Sequence, residues 1–266
     1  LVGRSDYPGE EEQAALYTQV ADAAFPHPVI FRTFDVGGDK LAPDAHHEEN
    51  PFLGWRGIRV LLDRPEILLC QLRAILRASA RRNVRIMFPM VSSIEEVHRA
   101  RAYVRQVKEE LRAQGTRFDA RIKVGVMIEV PAAAMMAEQI AAVSDFLSIG
   151  TNDLVQYMMA VDRGNGSVAS LYQPFHPAVV RTLHHVIEAA HKKHSWVGVC
   201  GEMGGDPLAT VLLVGLGVDE LSVIPPILPE IKKIIRSIKL KDAQRVANKV
   251  LTMTREKDIR DYLSSI

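Results

Sequence analysis

The chain has 266 residues, 47% of them apolar and 24% charged, the make-up of an ordinary globular protein long enough to bury its own core. Its 33 basic and 32 acidic residues leave a formal charge of +1, which argues against a nucleic-acid or membrane-surface protein, since those carry a basic bias. Two cysteines make no disulfide framework and suit a reducing, cytoplasmic setting, no apolar run approaches the roughly 18 residues of a membrane span, and no signal peptide is visible.

A single α/β barrel typically takes roughly 250 residues, so one domain over residues 1–266 is the simplest reading of the length, with two smaller domains as the alternative. The chain begins at Leu1 rather than at methionine and is read as a domain of a longer protein. Residues 1–25 read as a loop and a helix leading into a first strand at 29–33. A helix at 65–80 carries Ile67, Leu68, Leu72, Ile75 and Leu76 on one stripe. A strand at 84–90 precedes a helix at 94–113, acidic in its first turn and basic further on, as the helix dipole favours. Strands at 123–129 and 145–149 flank a helix at 132–142. A helix at 177–192 leads to a strand at 196–200, and a helix at 207–213 to a strand at 220–223. Helices at 229–236 and 242–253 follow. Pro177, Pro207 and Pro229 suit a first helical turn, where a missing N–H costs nothing.

Strands alternating with helices imply a parallel sheet. Six clear strands are two short of a (β/α)8 TIM barrel, and the weaker runs 57–61 and 158–161 are the candidates for the rest. The length and the placement of polar residues favour the barrel over an open doubly wound sheet. No dinucleotide-type G-x-G-x-x-G follows any strand.

Polar residues collect where the predicted strands end: Arg32 and Asp35 after the first, Glu129 after Lys-Val-Gly-Val-Met-Ile, Asn152 and Asp153 after Ser-Ile-Gly-Thr, Cys200 and Glu202 around Val-Cys-Gly-Glu. In a barrel this is the catalytic face. Strand alternation places Gly125, Met127 and Glu129 on one face and Val124, Val126 and Ile128 on the other, so Glu129 is expected to point into the barrel mouth. Glu129 and Asp153, with no cluster of histidine or cysteine beside them, suit a hard cation such as Mg2+. The plain alternative is that Glu129 pairs with an arginine and Asp153 caps a helix. Arg32, Arg56 and Arg163 each stand near glycine, and a phosphate needs such permanently charged forks. Any single arginine is otherwise a surface salt bridge, the reading given to Arg59, Arg64, Arg73 and Arg77. A lone strand cysteine is ordinarily a small core residue, as Cys70 is read; Cys200 differs because Gly-Glu-Met-Gly-Gly-Asp follows it directly. The nine histidines give no metal spacing: His46, His47, His184, His185, His191 and His194 read as solvated and His176 as a structural contact.

Six ordered segments, 32–40, 49–59, 85–90, 125–131, 148–165 and 200–206, together resemble the C-terminal domain of Enzyme I of the bacterial phosphotransferase system. The most telling pieces are Glu-Glu-Asn-Pro-Phe-Leu-Gly-Trp-Arg-Gly-Ile-Arg and Ser-Ile-Gly-Thr-Asn-Asp-Leu-Val-Gln-Tyr with Ala-Val-Asp-Arg-Gly-Asn behind it. The resemblance runs from about residue 10 to about residue 236. It implies a phosphoenolpyruvate/pyruvate-binding TIM barrel that takes Mg2+. Carried onto this sequence, Glu129 and Asp153 bind the metal, Arg32, Arg56 and Arg163 hold the phosphoryl group, and Asn152 orients the substrate, with Asp153 also counted in the substrate site. Cys200 protonates C3 of the enolate left when the phosphoryl group departs.

The family's phosphate-accepting histidine and its site for the histidine phosphocarrier protein lie in N-terminal domains absent from this chain, and none of the histidines here sits in a matching motif. The resemblance therefore implies substrate binding by this chain and phosphoenolpyruvate–protein phosphotransferase activity in the full-length enzyme, as a homodimer and a cytoplasmic protein. Pyruvate phosphate dikinase and phosphoenolpyruvate synthase share the barrel and several motifs and are the alternative. A non-catalytic phosphoenolpyruvate-sensing dimerisation module and an aldolase or lyase are the others.

Overall fold

Parallel strands need a crossover of a dozen or more residues, and the chain supplies one with at least one helix between each successive pair of strands. The computed structural model describes residues 7–35, 37 and 48–266. His46, His47 and the far end of the 32–40 motif lie outside them. The chain divides into two compact units, residues 1–126 and 127–266.

In the first unit β1 (Val29–Arg32), β2 (Val84–Phe88) and the start of β3 (Lys123–Ile128) pair in parallel and in chain order, with Val29 opposite Val84 and Arg85 opposite Lys123. The helices are α1 (Glu10–Ala24), α2 (Ile58–Asp63), α3 (Pro65–Ala78) and α4 (Ile94–Ala113). The expected stripe of α3 is the buried one: Leu68, Leu72, Ile75 and Leu76 are fully inside. Ser93 starts α4 with a reciprocal capping box to Glu96, which satisfies two otherwise orphaned N–H groups.

Helix α1 is fixed to α3 by charge. Glu10 takes hydrogen bonds from Arg73 and Arg77, each at 2.8 Å, and Arg77 also reaches Glu11 at 2.6 Å. Partial burial pushes the Glu10 carboxyl up, but the two guanidiniums reverse this and hold it below its ordinary value. Such a carboxyl contributes stability above its unfolded pKa and loses it as pH falls through the folded one. Glu10→Gln is therefore expected to lower the thermal midpoint at neutral pH by roughly 2–4 °C. The two melting curves should converge in acid, once the pH has fallen below the lowered folded-state value and the wild-type Glu10 is protonated in both the folded and the unfolded chain. A gap that persists in acid would mean that the lost contact is not ionic.

In the second unit β4 (Phe146–Gly150), β5 (Trp196–Cys200) and β6 (Glu220–Leu221) pair in parallel, again in chain order. Gly150 stands opposite Cys200 and Ser148 opposite Gly198. Phe146 and Trp196 stack at 4.6 Å across the first pair. The helices are α5 (Pro131–Met135), α6 (Ala137–Ala142), α7 (Thr151–Met159), α8 (Pro177–Lys192), α9 (Pro207–Leu216), α10 (Leu228–Ser237), α11 (Leu240–Leu251) and α12 (Glu256–Ser264). Gly215 brings α9 onto α11 so closely that a Cβ there would meet the Ala243 carbonyl oxygen at 2.0 Å.

The alternation of parallel strands and helices is as expected, but the described residues form six strands and not eight. Both weak runs are helical. Gly57, at φ +59°, turns the chain into α2, where Ile58, Val60, Leu61 and Leu62 are all buried. A short apolar run broken only by Arg59 shows too little period for strand and helix to be told apart. Met158 and Met159 finish α7, and Ala160 in the left-handed region closes it, with Val161 N–H returning to the Gln156 carbonyl at 3.0 Å. The predicted helix at 132–142 is divided at Met136, and α12 lies beyond the elements read from the sequence.

Candidate functional site

The two units each hold part of the predicted residue set. In the first, Arg32 ends β1 and Asp35 follows three residues later. Arg56 grips the Asp35 carboxylate with both arms of its fork, Nε to Oδ1 at 3.1 Å and a terminal nitrogen to Oδ2 at 2.7 Å. Arg32 approaches the same oxygen at 3.8 Å. The Asp35 side chain is only 6% exposed, that of Arg56 12% and that of Arg32 48%. Gly57 makes room: a Cβ there would stand 2.8 Å from Met90 Cβ and 3.1 Å from Asp35 Oδ1. So Arg32 and Arg56, distant in sequence, meet at one buried acid. The sequence reading noted Asp35 only as a strand-end acid.

In the second unit Glu129 directly follows β3, and Asp153 lies in the first turn of α7, where the helix dipole favours an anion. Glu129 is 2% exposed and Asp153 7%, and each offers a carboxylate oxygen within 4.8 Å of the other. The face predicted from strand alternation is confirmed at Gly150, where a Cβ would stand 2.6 Å from Glu129 Oε2 and 3.0 Å from Met127 Sδ. A glycine is needed there to leave space for the carboxylate. Two buried carboxylates this close repel one another unless positive charge joins them. Oxygen donors, with no imidazole or thiolate grouped with them among the described residues, suit a hard divalent cation.

Segments 148–153 and 199–202 are fastened together side by side. Thr151 Oγ1 donates to the Cys200 carbonyl at 2.8 Å, and Asn152 Oδ1 accepts the Glu202 N–H at 2.8 Å. Gly201, at φ +88°, lets the chain turn between these two anchors. The Cys200 sulfur accepts from Ser148 Oγ at 3.4 Å and donates to the Ile149 carbonyl at 3.5 Å. Arg163 lies in the loop after α7. Its N–H bonds Gln156 Oε1 at 3.1 Å, and its guanidinium stands 3.7 Å from Glu202. Tyr172 donates to the Asn152 carbonyl at 3.4 Å. Burial, then the Glu202 carboxylate, push its phenol up to about 12, against the pull of Arg163. Glu202 is noted from the sequence only as a strand-end acid without a role, and Ser148, Thr151 and Tyr172 are not singled out, because hydroxyls and a loop tyrosine carry no signature of their own.

Most structural readings of other residues hold; those of Arg59 and His191 do not. His176 caps α8, its Nδ1 accepting the Ala178 N–H at 3.2 Å. Arg73 and Arg77 are the ion pairs of α3, Arg64 lies 3.8 Å from Glu66, and Arg59 binds the Leu53 and Gly54 carbonyls instead of an acid. Cys70 is half-buried and accepts from Gln13 Nε2 at 3.6 Å. Burial first, then Glu10, push its thiol up, against Arg73. His191 is not merely solvated, since it bonds Asp219 at 2.8 Å.

With this geometry in place, comparison with known proteins identifies the class. Residues 1–240 match the sequence profile of the family described as PEP-utilising enzyme, PEP-binding domain, and the chain belongs to that family. Among curated relatives it is similar to the phosphoenolpyruvate-protein phosphotransferase of Haemophilus influenzae, 49% identical over 94% of this chain and 44% of that protein. The proteins of the same name from Buchnera aphidicola of Schizaphis graminum and from Geobacillus stearothermophilus are 46% and 45% identical, over 99% and 98% of this chain. The chain spans about half the length of these relatives, 47% and 46% for the latter two. In fold it is similar to a malate synthase of Haloferax volcanii, with a TM-score of 0.57 over 86% of this chain and 60% of that one at 14% identity. A citrate lyase of Burkholderia xenovorans gives 0.52 over 97% and 78%, at 16% identity.

Proposed function

We propose that this chain binds phosphoenolpyruvate together with Mg2+, and that the full-length enzyme uses it to pass the phosphoryl group to a histidine of an N-terminal domain and then to a histidine phosphocarrier protein, releasing pyruvate. The observation that carries the reading is the buried pair Glu129 and Asp153 in a chain of the PEP-binding family. The fit to a cation rests on the donors themselves: two carboxylates within 4.8 Å, with a glycine where any side chain would fill the space. When bound there, Mg2+ would neutralise charge on the substrate oxygens.

The remaining roles belong to the protein's own groups. Arg32, Arg56 and Arg163 would hold the phosphoryl oxygens through charged forks, supplying the positioning and charge neutralisation on which phosphoryl transfer depends. Asn152 would orient the substrate through its amide end. Cys200 would give a proton to C3 of the enolate, a task for a positioned acid, and an ordinary thiol with a pKa of about 8.5 is protonated at neutral pH. Parallel strands alternating with helices, and the likeness to the malate synthase and citrate lyase folds, support a (β/α)8 barrel as the frame. The relatives' name supports an Enzyme I-type protein, and with it a cytoplasmic homodimer.

Calorimetric titration with phosphoenolpyruvate tests this directly. Saturable heat is expected with Mg2+ present, and much weaker binding in chelator. Folded protein that gives no heat in either condition would overturn the proposal.

A further inference from the structure

Ser148 is a buried hydroxyl on β4, 7% exposed, among the core residues Phe146, Leu147 and Ile149. Its partner in register, Gly198, has no side chain to receive it. Its hydroxyl goes instead to the Cys200 sulfur at 3.4 Å, one strand over and two residues on. A neutral thiol is a weak acceptor, so this bond satisfies a buried hydroxyl poorly while Cys200 is protonated. Once the sulfur becomes a thiolate, the same bond becomes charge-assisted and much stronger. The Ile149 carbonyl, 3.5 Å from the sulfur, favours the opposite state, since it takes the S–H hydrogen. Together the two contacts fix the thiol rotamer from both sides. Only one of them gains strength as the proton leaves.

From this we infer that Ser148 is a positioning residue for the proton transfer by Cys200: it orients the sulfur and stabilises the thiolate that forms. The inference rests on the proposed role of Cys200. In the step, the enolate's carbon–carbon π pair takes the S–H proton and forms the third C–H bond of the pyruvate methyl group. The enolate oxygen becomes a ketone, and the S–H pair stays on sulfur as thiolate. Solvent then reprotonates the half-buried Cys200. An interaction that strengthens only as the reaction proceeds raises turnover without tightening ground-state binding.

The test compares wild type, Ser148→Ala, Ser148→Thr and Cys200→Ala. Alkylation of Cys200 by iodoacetamide is followed from neutral to alkaline pH, with peptide mapping to separate it from Cys70. Exchange of pyruvate methyl protons in deuterated water with Mg2+ is measured alongside. Ser148→Ala should slow Cys200 alkylation about tenfold at neutral pH, moving its pH profile to the alkaline side, while Ser148→Thr keeps the wild-type profile. Proton exchange should fall by a similar factor in Ser148→Ala with an unchanged KM for pyruvate. An unaltered alkylation profile in Ser148→Ala overturns the inference by itself. If exchange is lost in Cys200→Ala but untouched in Ser148→Ala, the inference falls and the role of Cys200 stands. If exchange survives in Cys200→Ala, that role falls and Ser148's with it.

Discussion

Asp153→Asn should weaken Mg2+-dependent phosphoenolpyruvate binding by roughly 100-fold, the loss expected for one charge-bearing contact of about 3 kcal/mol. The substitution changes charge at almost constant shape, so packing in the first turn of α7 is preserved. A structural acid and a cation ligand respond differently to it. Asp153 and Glu129 are buried with carboxylate oxygens within 4.8 Å. Like charges this close repel, and the substitution relieves that repulsion. Removing one charge should therefore leave the melting temperature in chelator no lower than in wild type. Adding Mg2+ should raise the wild-type midpoint and leave that of the variant unmoved, because a ligand stabilises only the state that binds it. Calorimetry and thermal melts with and without Mg2+ check both. A variant that binds as wild type does but melts lower would assign the carboxylate pair to stability alone.

Gly201→Ala should be the most damaging small substitution near Cys200. The residue sits at φ +88°, which an L side chain adopts only with strain. Its new Cβ would also stand 2.6 Å from Thr151 Oγ1 and 2.7 Å from Asn152 Oδ1. Those atoms hold the Cys200 carbonyl and the Glu202 N–H, so relief of the clash breaks one or both bonds. Strain and a lost part-buried hydrogen bond together predict a cost of about 2–4 kcal/mol in chemical denaturation. Phosphoenolpyruvate binding should fall as well, because Asn152 loses its orientation. Gly115→Ala is the comparison: φ is +69° and nothing lies within 4 Å of the new Cβ, so it carries positive-φ strain without a clash, whereas Gly201, at ψ −175°, lies in a region open essentially to glycine alone. Equal costs at the two positions would show that the contacts at Gly201 contribute nothing.

Much of this was legible in the sequence because it depends on local periodicity. The strands around Val84, Lys123, Phe146 and Trp196, and the stripe of α3, follow from period 2 and period 3.6 alone. The face of Glu129 followed from alternation with Met127, and Gly150 bears it out. What failed was the identity of short apolar runs. From Ile58 to Leu62 the one polar residue is Arg59, too little to set a period, so its helical state is set by Gly57 and by tertiary burial. The site was legible as residue types at strand ends, and illegible as partnerships. That Asp35 holds Arg56, that Ser148 reaches Cys200 and that Asn152 holds Glu202 depend on register between strands and loops far apart in the chain.

The grip of Arg56 on Asp35 has a consequence for selectivity. A carboxylate tethered beside a guanidinium is an intramolecular rival that no dilution removes. A singly charged ion such as chloride fills at most one arm of the fork and competes poorly with the resident acid, whereas a polyanion can engage both arms at once. The contact is therefore expected to screen Arg56, 12% exposed, from small ions, and to screen Arg32, 48% exposed, much less.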